Sequence, residues 1–239
     1  MTRAVIEPAA EARRSGGGRR VSARFVIAGD PPREPRIPGL LEARTLARLV
    51  PEDEQWRLFP ELRPWALYLD IETTGLADED PITVVGVGDG RRTHALVRGR
   101  NLTRPALLRA LRGARLLVTF NGTTFDLPRL RRAFPDLPWD LPHVDLAVCG
   151  RRVGLHGGLK GVERALGRTR PPALEGLDGA GAARLWRMHE AGVGGARRLL
   201  ARYCRADVEG LVELAPRIHE RMLETLGAGE LPGKLLLRG

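Results

Sequence analysis

The sequence predicts an α/β fold with strands and helices in mixed order. Short stretches of alternating or continuous Leu, Val and Ile predict strands, and stretches with helical spacing of apolar residues predict helices. Three strands come first, followed by a helix, a strand, a helix, a short strand and then a run of helices. With 239 residues the chain is long enough for one sizeable hydrophobic core and a tail.

The chain is expected to begin with a tail and a short lead-in. Residues 1–36 contain SGGGRR and DPPREP, more arginines than acids and few large apolar side chains, which predicts a flexible basic N-terminal tail. Residues 37–61 include LLEARTLARLV, whose apolar residues have helical spacing, and then the turn PEDE, so a short helical lead-in is predicted there. Residues 62–239 are the predicted domain.

The elements of this domain follow from its apolar pattern and its turn residues. The first three strands are LYLDIE, PITVVGVGDG and RRTHALVRG, and Asp89-Gly90 is a hairpin turn between the second and the third. The helix TRPALLRALRGA and the strand RLLVTFNG come next, then a helix in TTFDLPRLRRAF and a short strand running into a helix in WDLPHVDLAVCG. Helices are predicted in GLKGVERALG, AGAARLWRMHEAG and GARRLLARYCRADVEGLVEL, the last kinked or broken near Pro216. His143 and His156 are expected in loops.

Composition limits the class of protein. The formal net charge of +10 makes nucleic acid a plausible partner. Only Lys160 and Lys234 are lysines, so the excess of arginine is equally consistent with a general composition bias. Cys149 and Cys204 are the only cysteines, too few for a disulfide framework, and reduced thiols are expected. Without a visible signal peptide or a run of ~20 apolar residues, a cytoplasmic protein that does not enter membranes is expected.

Two acids interrupt the first predicted strand. In LYLDIETTGL the side chains of Asp70 and Glu72 are two residues apart, so on a strand they share one face and lie close together. Carboxylates held in this way repel each other unless a proton or a cation lies between them. A metal site at this pair requires further ligands elsewhere in the chain.

Two later motifs offer such ligands. FNGTTFDLPRL runs from a predicted strand through the Asn121-Gly122 turn to Asp126 at the start of a helix, where an acid can also simply stabilise the helix dipole. In YCRAD, Tyr203 and Asp207 are four residues apart and share one face of a helix. Taken singly, Tyr203 could be a core aromatic and Asp207 a surface acid. Coincidence does not explain the occurrence of all four acids and the tyrosine in this order.

These motifs resemble the DEDD (DnaQ-like) superfamily of 3′–5′ exonucleases in its tyrosine-bearing branch, DEDDy. DIETTGL matches the first motif of that family, NGTTFD the Asn-x-x-x-Phe-Asp form of the second, and YCRAD the Tyr-x-x-x-Asp form of the third. The resemblance spans about residues 65–226 and is closest to the small bacterial YprB-like ribonuclease-H-like proteins and to the proofreading domains of family B polymerases. It implies a ribonuclease-H-like fold: a central mixed β-sheet, three antiparallel strands and then parallel strands, flanked by α-helices.

The resemblance also implies a reaction and a set of metal ligands. Two hard divalent cations, Mg²⁺ or Mn²⁺, would activate water, neutralise charge on the phosphoryl oxygens and stabilise the leaving alkoxide. Asp70 would bridge both ions. Glu72 and Asp207 would hold the ion that binds the attacking water, and Asp126 would hold the second ion through its water shell. Tyr203 would orient the water, because a phenol with a pKa of ~10 is a poor general base at neutral pH.

Four further residues are weaker candidates. Thr73 and Asn121 could contact the substrate near the scissile bond, although an Asn-Gly turn explains Asn121 equally well. Lys160 follows two glycines at a predicted helix start, a position that favours an anion such as phosphate. Asp145 in HVDLAV is expected to support the site or merely to cap a helix.

Three functions follow from these observations. The first is a two-metal-ion 3′–5′ exonuclease that releases nucleoside 5′-monophosphates from the 3′ ends of single-stranded DNA or RNA. The second keeps the fold and the metals but cuts internally, as ribonuclease H does, although such enzymes lack the tyrosine. The third is a nucleic-acid-binding protein without catalysis, which is disfavoured because burying four unpaired carboxylates in an inert protein would be costly.

Overall fold

The computed structural model describes residues 39–227, which form a five-stranded sheet with helices packed on both faces. Within this range the strands are β1 (Ala66–Thr73), β2 (Ile82–Gly88), β3 (Thr93–Val97), β4 (Leu116–Thr119) and β5 (His143–Asp145). The α-helices of the same range are α1 (Leu40–Leu49), α2 (Phe59–Leu62), α3 (Arg104–Leu111), α4 (Asp126–Ala133), α5 (Leu146–Arg152), α6 (Gly158–Ala165), α7 (Gly179–Glu190) and α8 (Ala196–Leu226). Short 3-10 helices cover Glu52–Leu58, Arg63–Trp65 and Pro172–Leu174. The tail predicted for residues 1–36 lies outside the described residues.

The sheet combines antiparallel and parallel pairs in the order β3-β2-β1-β4-β5. Strand β2 is antiparallel to both β1 and β3, whereas β4 is parallel to β1 and β5 is parallel to β4. The hairpin between β2 and β3 turns where predicted: Gly90 has a φ of 84°, and the Asp89 carboxylate accepts hydrogen bonds from the N–H groups of Arg91 and Arg92 at 2.9 and 2.8 Å. The predicted α/β fold with a mixed sheet flanked by helices is confirmed.

Strand β1 is central and is covered on both faces, which explains its nearly continuous apolar sequence. Leu67, Leu69 and Ile71 pack into one core cluster with leucines of α3 and α4. Tyr68 belongs to the opposite face, in a cluster with leucines of α8 and residues of α5 and α6. Because side chains alternate along a strand, Asp70 is directed to the face that α8 covers.

The lead-in packs on the edge of the sheet formed by β5. Gln55 is 3% exposed and lies in the 3-10 helix Glu52–Leu58. Its side-chain oxygen accepts a hydrogen bond from the backbone N–H of His143 at 2.7 Å, and its amide donates to the carbonyl groups of Ala47 and Val50. This contact occupies a strand N–H at an edge that would otherwise be free to pair with another chain. His143 therefore lies on a strand, and the prediction that it belongs to a loop is wrong.

Helix α8 runs without a break from Ala196 to Leu226, although Pro216 lies inside it. Of the two predicted alternatives near Pro216, the break is wrong, because the residues around the proline are held by the core, and the kink stays a prediction. Leu214, Ala215 and Ile218 are all buried in one cluster with the sheet. Their packing offsets the loss of one backbone hydrogen bond and the local clash that a proline causes inside a helix. No helix within residues 39–227 is both long and apolar enough to cross a lipid bilayer.

Two glycines of β2 allow α8 to approach the sheet closely. A Cβ atom added to Gly86 would lie 2.7 Å from Cγ2 of Val208 and 2.9 Å from Sγ of Cys204, and one added to Gly88 would lie 2.8 Å from Cγ1 of Val208. These distances are too short for ordinary van der Waals contact. Gly86 and Gly88 of the GVGDG segment therefore serve the packing of helix on sheet.

We expect Gly86→Ala to lower the free energy of unfolding by about 1–3 kcal/mol, the usual cost of overpacking a tight interface. Urea denaturation followed by circular dichroism measures the change. Gly113→Ala is the matched control, because no heavy atom lies within 4 Å of the added methyl group there. Equal stability of the two variants would contradict the close packing of α8 against β2.

Candidate active site

Residues from three separate parts of the chain meet in one cleft. Asp70 and Glu72 come from β1, Asp126 begins α4, and Tyr203 and Asp207 lie one turn apart on α8. All five line a cleft with a volume of about 560 Å³. Glu72, Asp126 and Asp207 are 6%, 4% and 4% exposed, so their carboxyl groups are largely removed from water. The structure thus brings together the residues that the three sequence motifs single out.

The two acids of β1 are close to each other and to a thiol. The thiol S–H of Cys204 donates a hydrogen bond to Oδ2 of Asp70 at 3.4 Å. Burial raises the pKa of Asp70 well above its usual value, and the negative charges of Asp207, Glu72 and Asp126 raise it further. Burial likewise raises the pKa of Glu72 well above its usual value, reinforced by Asp207 and Asp126. Without a cation, Asp70 and Glu72 therefore keep their protons to a higher pH than carboxyl groups in water do.

Asp126 is fixed by the backbone of β1. Its Oδ1 accepts a hydrogen bond from the N–H of Ile71 at 3.0 Å, between the two acids of that strand. Burial raises the pKa of Asp126 to about 7, although the Ile71 N–H favours the charged form. This bond crosses from a helix to a strand, so Asp126 does more than stabilise its own helix.

Asp207 is held by a buried arginine that the sequence motifs do not reveal. Arg170 donates to Oδ1 of Asp207 and, through Nε and Nη2, to the carboxylate of Glu163 at 2.6 and 2.8 Å. Glu163 lies on α6, and α8 has Gly210 beside it, where a Cβ would come within 2.4 Å of the Glu163 carboxylate. Burial raises the pKa of Asp207 while Arg170 opposes the shift. Glu163 is 1% exposed, and a carboxylate buried to this extent requires a cation.

Lys160 contacts the tyrosine of the site. Its ammonium group donates to the hydroxyl oxygen of Tyr203 at 3.0 Å and lies 4.7 Å from the centre of the ring. Burial and the negative charges of Asp207, Glu72 and Asp70 raise the pKa of Tyr203, so the phenol stays protonated at neutral pH. Burial lowers the pKa of Lys160. Lys160 also lines the cleft, as its predicted role in substrate contact requires.

The remaining candidates form the edge of the site or support it. Asn121 and Thr73 line the cleft, and Asn121 is the one non-glycine residue with positive φ, 64°, within residues 39–227. Asp145 lies outside the cleft, where its two oxygens accept hydrogen bonds from the N–H groups of Asn121 at 2.7 Å and Thr123 at 3.0 Å. The same carboxylate caps α5 through the N–H of Ala147 at 3.0 Å. Asp145 therefore caps a helix and also holds the turn that carries Asn121, and its support of the site stays a prediction.

The donor set fits hard divalent cations. Within residues 39–227, no arginine or lysine forms an ion pair with Asp70, Glu72 or Asp126, and Arg170 contacts one oxygen of Asp207 only. Carboxylate oxygens are the ligands that Mg²⁺ and Mn²⁺ prefer. Positive charge placed among these acids would remove the repulsion that raises their pKa values. The cluster can therefore hold such ions.

The raised pKa values predict how stability depends on pH. A carboxyl group whose pKa is higher in the folded chain stabilises the fold at low pH, and this contribution is lost as the pH rises through the folded pKa. For Asp126 the loss runs from about pH 4 to about pH 7. Asp70 and Glu72 act in the same direction. His143 acts in the opposite direction below about pH 6.5, because burial lowers its pKa to about 4.

We therefore expect the melting temperature of the metal-free protein to fall as the pH rises from about 6.5 through about 7, because Asp126 loses its proton there and the pKa values of Asp70 and Glu72 are raised in the same direction. Differential scanning calorimetry in the presence of a chelator measures this. Addition of Mn²⁺ at the higher pH should restore the lost stability. A melting temperature that rises with pH over this interval would show that the acids are not protonated in the fold.

Sequence and structure comparisons place the fold in a family. The sequence profile RNase_H_2, described as RNase_H superfamily, matches residues 67–218, which are more than half of the chain and include most of α8 and all of the sheet except Ala66. The chain belongs to the RNase_H superfamily. No curated protein sequence is significantly similar to it.

Solved structures share this fold at low sequence identity. The structure described as the apo form of a nuclease is 20% identical, with a TM-score of 0.50, over 68% of this chain and 75% of the other. The family B DNA polymerase from the archaeon Pyrobaculum calidifontis is 17% identical, with a TM-score of 0.51, over 68% of this chain and 26% of the polymerase. Escherichia coli RNase D, an exoribonuclease, is 17% identical, with a TM-score of 0.49, over 74% of this chain and 44% of RNase D. The chain thus spans less than half of the last two proteins.

Proposed function

We propose that this protein is a two-metal-ion 3′–5′ exonuclease of the DEDD superfamily, in its tyrosine-bearing branch and near the YprB-like proteins. It would hydrolyse single-stranded DNA or RNA from the 3′ end and release nucleoside 5′-monophosphates. The observation that carries the proposal is the convergence of Asp70, Glu72, Asp126 and Asp207 with Tyr203 on one cleft. An inert protein would have no reason to bury four acids in mutual repulsion.

The acids would hold Mg²⁺ or Mn²⁺. When bound, two such ions lower the pKa of water, neutralise the phosphoryl oxygens and stabilise the leaving alkoxide. Asp70 lies near enough to Glu72 and Asp207 for their charges, together with burial, to raise its pKa, and it would be the ligand that the two ions share. Arg170 fixes one oxygen of Asp207 and so determines which oxygen faces the cleft.

Tyr203 would position the attacking water without removing its proton. Because Lys160 donates to the phenol oxygen, the phenol O–H remains free to donate a hydrogen bond of its own. The raised pKa of Tyr203 keeps that proton in place. Tyr203 is therefore a hydrogen-bonding group of fixed position.

The cleft suits the end of a nucleic acid chain. Its volume of about 560 Å³ lies within the range of about 300–1,000 Å³ usual for small-molecule sites. The half-buried rings of Phe120 and Phe125 line it and offer surfaces on which a base can stack. Lys160 and Arg187 provide positive charge for the backbone phosphates. Two buried free thiols favour a reducing compartment such as the cytoplasm.

A panel of labelled oligonucleotides tests the proposal. DNA and RNA single strands, labelled at either end, are incubated with and without Mn²⁺. A free 3′ hydroxyl should be required, so a 3′-phosphorylated strand should resist digestion while a 5′-phosphorylated one is shortened, with mononucleotides as the product. If a covalently closed circular single strand is cut as readily as the linear one, the enzyme is an endonuclease. Binding of the oligonucleotides without any cleavage would instead support a nucleic-acid-binding protein without catalysis.

A further inference from the structure

A cysteine lies beside the acids of the candidate active site. Sγ of Cys204 is 3.4 Å from Oδ2 of Asp70 and 3.7 Å from the carbonyl oxygen of the same residue. One donor atom each from Asp70, Glu72 and Cys204 lies within 4.8 Å of the others. The proposed nuclease mechanism does not use this thiol.

The fold holds the sulfur in place. Cys204 is 0% exposed and belongs to the cluster that packs α7 and α8 against the sheet. Gly86 of β2 lies directly against it, since a Cβ there would come within 2.9 Å of Sγ. The sulfur is therefore packed between the backbone of β2 and the carboxyl group of Asp70.

The spacing of the donors matches the geometry of a tetrahedral ion. With Zn–S and Zn–O bonds of about 2.3 and 2.0–2.2 Å and a tetrahedral angle between them, the sulfur and oxygen ligands of zinc lie about 3.5–3.7 Å apart. The Cys204 sulfur and the Asp70 oxygen are 3.4 Å apart. Small side-chain adjustments therefore suffice for both atoms to bind one ion, with Glu72 as a third ligand.

We propose that Asp70, Glu72 and Cys204 form a binding site for a thiophilic divalent cation, Zn²⁺ or Cd²⁺, with the Cys204 thiolate as the ligand that distinguishes it from Mg²⁺ and Mn²⁺. Hard ions prefer oxygen and leave the thiol protonated, whereas soft and borderline ions bind thiolate. As the ion binds, the thiol proton and any proton held by Asp70 or Glu72 are released to solvent. Because Asp70 is common to both kinds of site, a bound thiophilic ion would exclude the hard ions.

The test uses the full chain, Cd²⁺ alone and no nucleic acid. Titration should produce the ultraviolet charge-transfer absorbance of a cadmium–thiolate bond, saturating at one ion per chain. Cys149→Ser is the matched control, since Cys149 is the other buried free cysteine, and it should retain the band. Cys204→Ser should lose the band and bind Cd²⁺ about 10-fold or more weakly by calorimetry, while its affinity for Mn²⁺ changes less than about twofold.

Cys204→Ala is the second variant that removes the thiol. Circular dichroism and the melting temperature are recorded for each variant, so that loss of the band is distinguished from loss of the fold. An intact band in folded Cys204→Ser or Cys204→Ala, or no band in the wild-type protein, would overturn the proposal. Because the readout is metal–sulfur absorbance, a protein that fails to digest any oligonucleotide but shows the band would refute the exonuclease function and leave this site standing.

Discussion

Asp70→Asn should reduce hydrolysis by about a thousandfold or more, because it removes a charge on which both cations would depend, a contribution of several kcal/mol. The same change should raise the melting temperature of the metal-free protein. Asp70 lies among three other acids, and burial and their repulsion raise its pKa well above its usual value. A neutral amide of the same shape relieves that repulsion. Initial rates with Mn²⁺ and melting curves with a chelator measure the two effects.

Asp136→Asn is the control for this prediction. Asp136 is an exposed acid that pairs with Arg104 on the surface, and it does not line the cleft. Its replacement should leave the rate of cleavage unchanged. It should change the free energy of unfolding by no more than a surface ion pair contributes, about 0.2–1 kcal/mol. Undiminished cleavage by Asp70→Asn, or by the wild-type protein in excess chelator, would exclude the two-metal mechanism.

Tyr203→Phe should lower kcat by roughly 10²–10⁴, the usual contribution of one acid–base or positioning group. The substitution removes only the hydroxyl, so the ring continues to pack in the cluster with α7 and the sheet. KM should change little, because the backbone phosphates are bound by other groups. Steady-state kinetics on a single-stranded oligonucleotide separate the two constants.

The second tyrosine of the chain provides the comparison. Tyr68 is also buried, on β1, and its hydroxyl lies near Arg63 outside the cleft. Tyr68→Phe should leave kcat unchanged, and it shows how much the loss of a buried hydroxyl group alone affects kcat. If Tyr203→Phe has the same small effect, Tyr203 is a core aromatic and nothing more.

Much of the site was predictable because its residues follow simple periodic rules. The alternation of strand side chains places Asp70 and Glu72 on one face, and the helical repeat places Tyr203 over Asp207. The hairpin at Asp89 was predictable because its turn chemistry is local. These features depend on residues that are close in sequence.

The parts that could not be predicted depend on residues that meet only in the fold. Arg170 pairs with Asp207, which is 37 residues away, and nothing in the sequence around either residue selects the other. The hydrogen bond between Gln55 and β5 joins residues 88 apart and covers an edge that no local pattern describes. Pro216 does not break α8, because the intrinsic preference of a proline is local, whereas the packing that overrides it is tertiary.

The position of α8 at the end of the described chain has a consequence for how the protein is made. This one helix covers β1 and β2 on one face and supplies two of the five site residues. A ribosome releases the strands first, so the growing polypeptide carries Asp70 and Glu72 before Tyr203 and Asp207 of α8 have emerged. Such an unfinished chain lacks the complete acid cluster and exposes the apolar surface that chaperones bind. The order of translation therefore delays any nuclease activity until the chain can fold.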